Sequence, residues 1–403
     1  MKKYVYEARD SASNKIVKST VQADSENAAA KLLTAQGFIP LKIESEDERA
    51  GFFDRLSGRI TTKDKIVFTR QLATLIGAGL PLAQSMRTVH EQTQNKKMQE
   101  VIQEIISDVE GGKQLSEAFG KHPEVFDKVF IALVSAGEAS GTLDDALKRV
   151  AAQQEKDAAM MSKIKGAMTY PLIVFGVILL VIGFMLLTVV PQVKNLYKDL
   201  GKELPLLTQI LVGMADFLIN YWWIILIVIG VAVYFFRQWL KTDNGIRSKD
   251  LFKLNVPMFK GMFRRLYMAR FTRTGQTLLG TGVAMLDMLR ITSNAVNNTV
   301  ISEEIDRAAD KVKGGKALSA SLKNEEYMLE MVPQMIKIGE QSGKIDEMMG
   351  KTAQIYEDEL DEEIRNISTA IEPILMVVMA IIAGGMMGAT LFPIYGLVNG
   401  ISM

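Results

Sequence analysis

Three stretches free of charged residues constrain this 403-residue chain more than any other feature. Pro171–Val190, Phe217–Phe236 and Ile374–Val398 carry no Asp, Glu, Lys or Arg, and each has the roughly 20 residues that cross a ~30 Å hydrocarbon core. The second has Tyr221, Trp222 and Trp223 at one end and Tyr234, Phe235 and Phe236 at the other, the pattern of interfacial aromatic belts. Charged residues still make up 23% of the chain and the mean hydropathy is +0.12, so apolar blocks alternate with ordinary soluble stretches. A net charge of +1 excludes a basic nucleic-acid-binding domain and an acidic disordered tail. Cysteine is absent, which removes disulfides, thiolate metal sites and cysteine nucleophiles.

The flanks of the spans predict an orientation. Lys163 and Lys165 precede the first span, and Arg237, Lys241, Arg247 and Lys249 follow the second. The connector between them holds Lys194, Lys198 and Lys202, offset by Asp199, Glu203 and Asp216. The more positive side is cytoplasmic. Met1-Lys2-Lys3 leads into a polar segment instead of an apolar signal run, so the N-terminus is expected to stay inside as well.

The predicted fold is mainly α and polytopic: two homologous cytoplasmic six-helix-type bundles, three transmembrane helices and a small N-terminal ββαβ unit. Residues 1–45 form that unit, with a turn at Ser11–Asn14, a helix capped at Ser25 and stopped at Gly37, and a closing strand from Pro40. A charged linker covers 46–60. The first bundle covers 61–168, opening on a helix capped by Thr61 or Thr62. The first span is placed at 169–191, an external connector at 192–216 and the second span at 217–236. The second bundle follows at 237–370, the third span at 371–398 and an external C-terminus at 399–403.

The two bundles are related by an internal repeat. Phe68-Thr69-Arg70 through Gly77-Ala78-Gly79 aligns without gaps on Phe271-Thr272-Arg273 through Gly280-Thr281-Gly282, an offset of 271 − 68 = 203. Gly111-Gly112-Lys113 matches Gly314-Gly315-Lys316 at the same offset. One deletion later, Gly137-Glu138-Ala139-Ser140-Gly141 matches Gly339-Glu340-Gln341-Ser342-Gly343. Tyr170-Pro171 and Glu372-Pro373 open the spans that follow each copy. The paired glycines suit helix stops that need positive φ or close backbone approach. Ser140 and Ser342 are expected to cap nearby amides. A face shared by both copies for a partner is the alternative use of these residues.

With those motifs in order along nearly the whole chain, the sequence resembles the type II secretion F family, the inner-membrane platform proteins of type IV pilus and type II secretion machines. The Tyr4-x-Tyr-x-Ala8 start, the Leu204-Pro205-x-x-Thr208 connector and the Glu372-Pro373 to Pro393 span carry the resemblance further. Ser11–Asn14 departs from the family, which usually has glycine at the first turn. The resemblance implies a scaffold and not an enzyme. Its implied partners are a cytoplasmic secretion ATPase, pilin or pseudopilin subunits, other inner-membrane assembly proteins, the lipid bilayer and further copies of the chain, with no nucleic acid. An oligomeric transporter is the rival reading, since repeats and an acid near a span occur in alternating-access proteins.

Gly350-Lys351-Thr352 ends like a phosphate-binding loop, but Ile345 stands where the leading glycine belongs and the stretch reads as helix. His90 and His122 have no ligand-spaced partner. No catalytic residue and no cofactor follow. Glu155, which matches Glu357 of the second copy, is the single candidate ligand for a divalent cation such as calcium, a site the family resemblance permits. In the acidic run from Glu357 to Glu363, a solvated helix face is the ordinary reading. A basic patch on the ATPase and a hard divalent ion are the alternatives, with Glu359, Asp361, Glu362 and Glu363 the candidates for the partner contact. Glu372 is the acid closest to membrane depth, and Gly384 and Gly388 are spaced for close helix packing within the span or between protomers.

Overall fold

The computed structural model describes residues 2–10, 16–23, 26–35, 38–45, 59–199 and 206–401. It divides into two compact units, one of residues 1–75 and 79–113, the other of 76–78 and 114–403.

In the first unit, β1 (Lys2–Asp10), β2 (Ile16–Ala23), α1 (Glu26–Ala35) and β3 (Phe38–Ser45) form an antiparallel sheet of order β2-β1-β3 with one helix. The register runs from Lys2 opposite Ala23 to Arg9 opposite Ile16, with an irregularity between Glu7 and Ala8 on the β3 side. The expected turn at Ser11–Asn14, the cap Ser25, the stop Gly37 and most of the 46–60 linker lie outside the described residues. Helix α2 (Thr62–Gly77) starts at Thr61, whose hydroxyl accepts the Asp64 amide at 3.2 Å while Asp64 accepts the Thr61 amide at 2.8 Å. This reciprocal capping satisfies donors that a helix start leaves open. Helices α3 (Leu82–Gln92) and α4 (Lys96–Glu110) follow, with Pro81 in the N-cap position of α3. Met86, Val89, Met98, Ile102, Ile105 and Ile106 are buried at helical spacing.

In the second unit, α5 (Leu115–Gly120) and α6 (Lys128–Ser140) lead into α7 (Leu143–Phe184), which runs without a break from soluble sequence into the first uncharged stretch. A π-helical turn, Met185–Val189, joins it to α8 (Val190–Asp199). There the Val190 amide reaches back five residues to the Met185 carbonyl, and Pro191 next to it has no amide to offer. The second span is α9 (Leu206–Trp239), kinked at Tyr221. The connector expected at 192–216 is thus helical on both sides of 200–205.

After the second span come α10 (Asp243–Asn255), α11 (Lys260–Leu279), α12 (Met285–Ala295), α13 (Thr299–Lys313), α14 (Leu318–Leu322), α15 (Met331–Ser342) and α16 (Ile345–Ile401). Helices α12 to α15 begin at the repeat counterparts of α3 to α6, since 285 − 82 and 331 − 128 both give 203. Helix α16 enters the third apolar stretch as α7 enters the first. Among the described residues, three helices are long and apolar enough to cross a membrane: Leu143–Asp199, Thr208–Trp239 and Ile345–Gly388.

Candidate functional site

The repeated motifs prove to be the joints of the fold. Among the described residues, the glycines with positive φ are Gly79 and Gly282, Gly112 and Gly315, and Gly141 and Gly343, three repeat pairs. Gly141 (φ 73°) and Gly343 (φ 70°) end α6 and α15 in the left-handed region, where a side chain would be strained. Four residues before each, Gly137 and Gly339 let the next helix approach. A β-carbon on Gly339 would stand 2.7 Å from the Ile345 backbone, and one on Gly137 would clash with the Ala146 side chain.

Between those glycines, the shared glutamate has a role that sequence reasoning missed. Glu138 accepts the amides of Leu115 (2.6 Å) and Ser116 (3.1 Å) and the Ser116 hydroxyl (2.8 Å). Glu340 takes the Ser319 amide (3.2 Å) and hydroxyl (2.5 Å). In each copy a carboxylate more than 20 residues away serves the open amides of a short helix. Ser140 and Ser342 do not cap amides as expected. They donate to the carbonyls of Ala136 (2.7 Å) and Ile338 (2.9 Å) one turn back.

Charge concentrates where α7, α11 and α16 meet. Glu357 is buried at 7% exposure and takes Arg273 at 2.8 Å and Lys156 at 3.2 Å. Asp157 takes Arg270 through both guanidinium sides, at 2.6 and 3.0 Å. Of the acids singled out for a partner, Glu359 and Glu363 both face Arg265, at 2.7 and 3.6 Å, and Asp361 pairs with Lys163 at 2.5 Å. Glu362 is exposed. The pairs Lys156–Glu357 and Lys163–Asp361 advance together along both helices, so α7 and α16 run parallel toward their spans.

Glu155 is half-buried on α7. Among the described residues no three His, Asp or Glu side chains converge as a metal site. Gly350, within the loop-like Gly350-Lys351-Thr352, lies inside the continuous helix α16. A β-carbon there would meet the Gln276 side chain at 2.5 Å, so this glycine serves helix packing. In the membrane region Leu186, Val190, Val212 and Ala215 form a buried cluster. Beside it an apolar cleft of about 290 Å³ is lined by residues of all three spans, among them Ile182, Leu186, Met214, Ile381 and Gly385. A β-carbon on Gly384 would meet nothing within 4 Å. A β-carbon on the neighbouring Gly385, which lines the cleft, would likewise meet nothing within 4 Å. Gly388 lies on the same helix.

Long helices shared between soluble and apolar stretches, joined by duplicated glycine hinges and glutamate caps, define an integral membrane protein with an internally repeated domain. Residues 68–191 and 271–393 match the family of type II secretion system protein F, and residues 1–44 match its N-terminal domain. The chain belongs to that family. It is 36% identical over 99% of both chains to a type IV pilus assembly protein PilC of Thermus thermophilus. It is 35% identical to the protein of that name in Pseudomonas aeruginosa, over 91% of this chain and 98% of the relative. It is also 33% identical, over 99% of both, to a type II secretion system protein F of Xanthomonas campestris. The family and the three apolar helices make this an inner-membrane protein of pilus or secretion machinery.

Proposed function

We propose that this chain is the platform on which a filament-building machine is assembled, coupling a cytoplasmic ATPase to the movement of pilin-like subunits out of the bilayer. The observation that carries the reading is full-length similarity to both pilus assembly and secretion proteins, on a fold whose duplicated domains continue directly into spanning helices. In this reading the N-terminal ββαβ unit and both repeats lie in the cytoplasm, residues near 200 and the C-terminus lie outside, and several copies act together.

The acidic face of α16 is where the motor docks. Asp358 and Glu362 are the exposed acids there, whereas Glu359, Asp361 and Glu363 already hold intramolecular partners. Gly388 serves packing between copies, and any cation at Glu155 would need further ligands from outside the described residues or from another copy. The chain itself carries out no chemistry.

Cells lacking the chain test the proposal. Surface filaments or secreted substrate should disappear while the subunits remain in the inner membrane, and the intact chain should restore them. Normal filaments and secretion without the chain would refute the platform role.

A further inference from the structure

The end of the second span carries an arrangement that filament assembly does not explain. Trp239 closes α9, and a β-carbon on Gly245 would run into the Trp239 carbonyl, so α10 folds back tightly against the end of the span. Beyond its other end, Gly261 in the first turn of α11 abuts the Glu363 carboxylate. Glu363 lies nine residues before Glu372, about 14 Å along α16 at 1.5 Å per residue. Helix α11 runs antiparallel to α16, Gln276 meeting Gly350 and Arg265 meeting Glu363. The turn before α11 therefore lies nearer still to the membrane. One end of α10 is thus held at the end of the second span, and the turn after its other end lies within about 14 Å of Glu372 along α16.

That segment shows apolar side chains outward. Phe252 is 70% exposed and Leu251 40%, while Gly245, Asp250 and Leu254 are buried on the opposite face. Met258, exposed in the turn, has φ 74°, a conformation seldom taken by a long side chain. From Arg237 to Lys260 the sequence has six Lys and Arg against Asp243 and Asp250. Asp250 is buried and accepts the Thr299 amide, and Arg247 is paired with Glu303. Lys241, Lys249 and Lys260 are exposed. Lys249 also lies 3.9 Å from the Asp250 carboxylate. Exposed aromatic and aliphatic groups beside exposed cations in excess of acid, at the edge of a span, are what binds the surface of an anionic bilayer.

We propose that α10 and its following turn form an interfacial anchor: Leu251, Phe252 and Met258 enter the headgroup layer while Lys241, Lys249 and Lys260 hold anionic phospholipid. The anchor fixes the second repeat against the bilayer independently of the spans. It rests on the membrane reading of the chain and needs no motor.

The absence of cysteine allows single spin labels on the full chain in lipid nanodiscs, at Phe252→Cys, Met258→Cys, Ile227→Cys in the second span and the exposed Ile338→Cys on α15. In discs containing phosphatidylglycerol, the labels at 252 and 258 should collide more with oxygen than with a water-soluble nickel chelate, as at 227, and 338 should do the reverse. In discs of phosphatidylcholine alone, 252 and 258 should become more accessible to nickel. Aqueous behaviour at 252 and 258 in both lipids, with 227 in lipid, overturns the anchor. Equal depth in both lipids overturns its anionic-lipid half. An aqueous profile at 227 would instead refute the spans.

Discussion

At residue scale, the fold depends on side chains that a glycine lacks and a glutamate supplies. Gly141→Ala and Gly343→Ala place a β-carbon in a left-handed backbone, and each should lower stability by about 1 kcal/mol. Gly339→Ala meets the Ile345 backbone and should cost more, about 1–3 kcal/mol by overpacking. Gly120, with open space around it and no positive φ, should accept alanine with little change. Thermal unfolding of the full chain in detergent, followed by circular dichroism, orders these variants. Equal effects at 120 and 343 would contradict the assignment. A second residue-scale expectation concerns acid. Burial would raise the Glu325 pKa, but hydrogen bonds from Arg307 (2.5 Å) and Lys311 (2.7 Å) outweigh it and hold the carboxyl below its ordinary 4.5. A depressed folded pKa means stability that is complete above the ordinary value and is lost as pH falls through the folded one. Glu325→Gln should therefore lower the thermal midpoint at pH 7, corresponding to about 1–3 kcal/mol, and the gap to the parent chain should narrow as pH falls below the ordinary 4.5 and close once it passes through the depressed folded value. A gap that is constant with pH would show that the charge is immaterial.

At element scale, the parallel helices α7 and α16 carry their soluble faces into the membrane, each with a proline at the entry, Pro171 and Pro373. What holds them beside α11 is a graded set of ion pairs. Glu357 is nearly enclosed, and its removal strands Arg273, itself little exposed. Glu357→Ala should cost about 3–5 kcal/mol, against about 0.2–1 for Lys163→Ala at the exposed pair with Asp361. Similar losses from both, in the same unfolding measurement, would deny the burial its weight. The glycine stops, the helix order and the three spans were legible in the sequence because glycine spacing and charge-free length are local signals repeated twice. The long-range caps were not. Glu138 and Glu340 sit inside a visible motif, but their partners lie more than 20 residues away and only folding brings them together. The acidic run was legible as composition. That Glu359, Asp361 and Glu363 pair with Arg265 and Lys163 on neighbouring helices depended on helix packing that no pattern in one segment records. The kink at Tyr221 likewise had no sequence cue.

For the whole molecule, the arrangement of spans and soluble segments decides what the protein can do. Single-cysteine labelling at Glu46, Lys202, Lys260 and Met403 should report inside, outside, inside and outside, following the lysine and arginine distribution; any other order would invert or break the proposed topology. A platform transmits force through surfaces, and its exposed charges act by complementarity, felt in association and in salt dependence. The most direct measurement puts the full chain in nanodiscs with and without the cytoplasmic assembly ATPase, recording nucleotide hydrolysis and retention of the motor on the discs. The chain alone should hydrolyse nothing, and it should retain the motor in a way that weakens with salt and with Asp358→Lys combined with Glu362→Lys. Hydrolysis by the chain alone, or a motor that never binds it at any ionic strength, would contradict a platform that couples the ATPase to filament assembly.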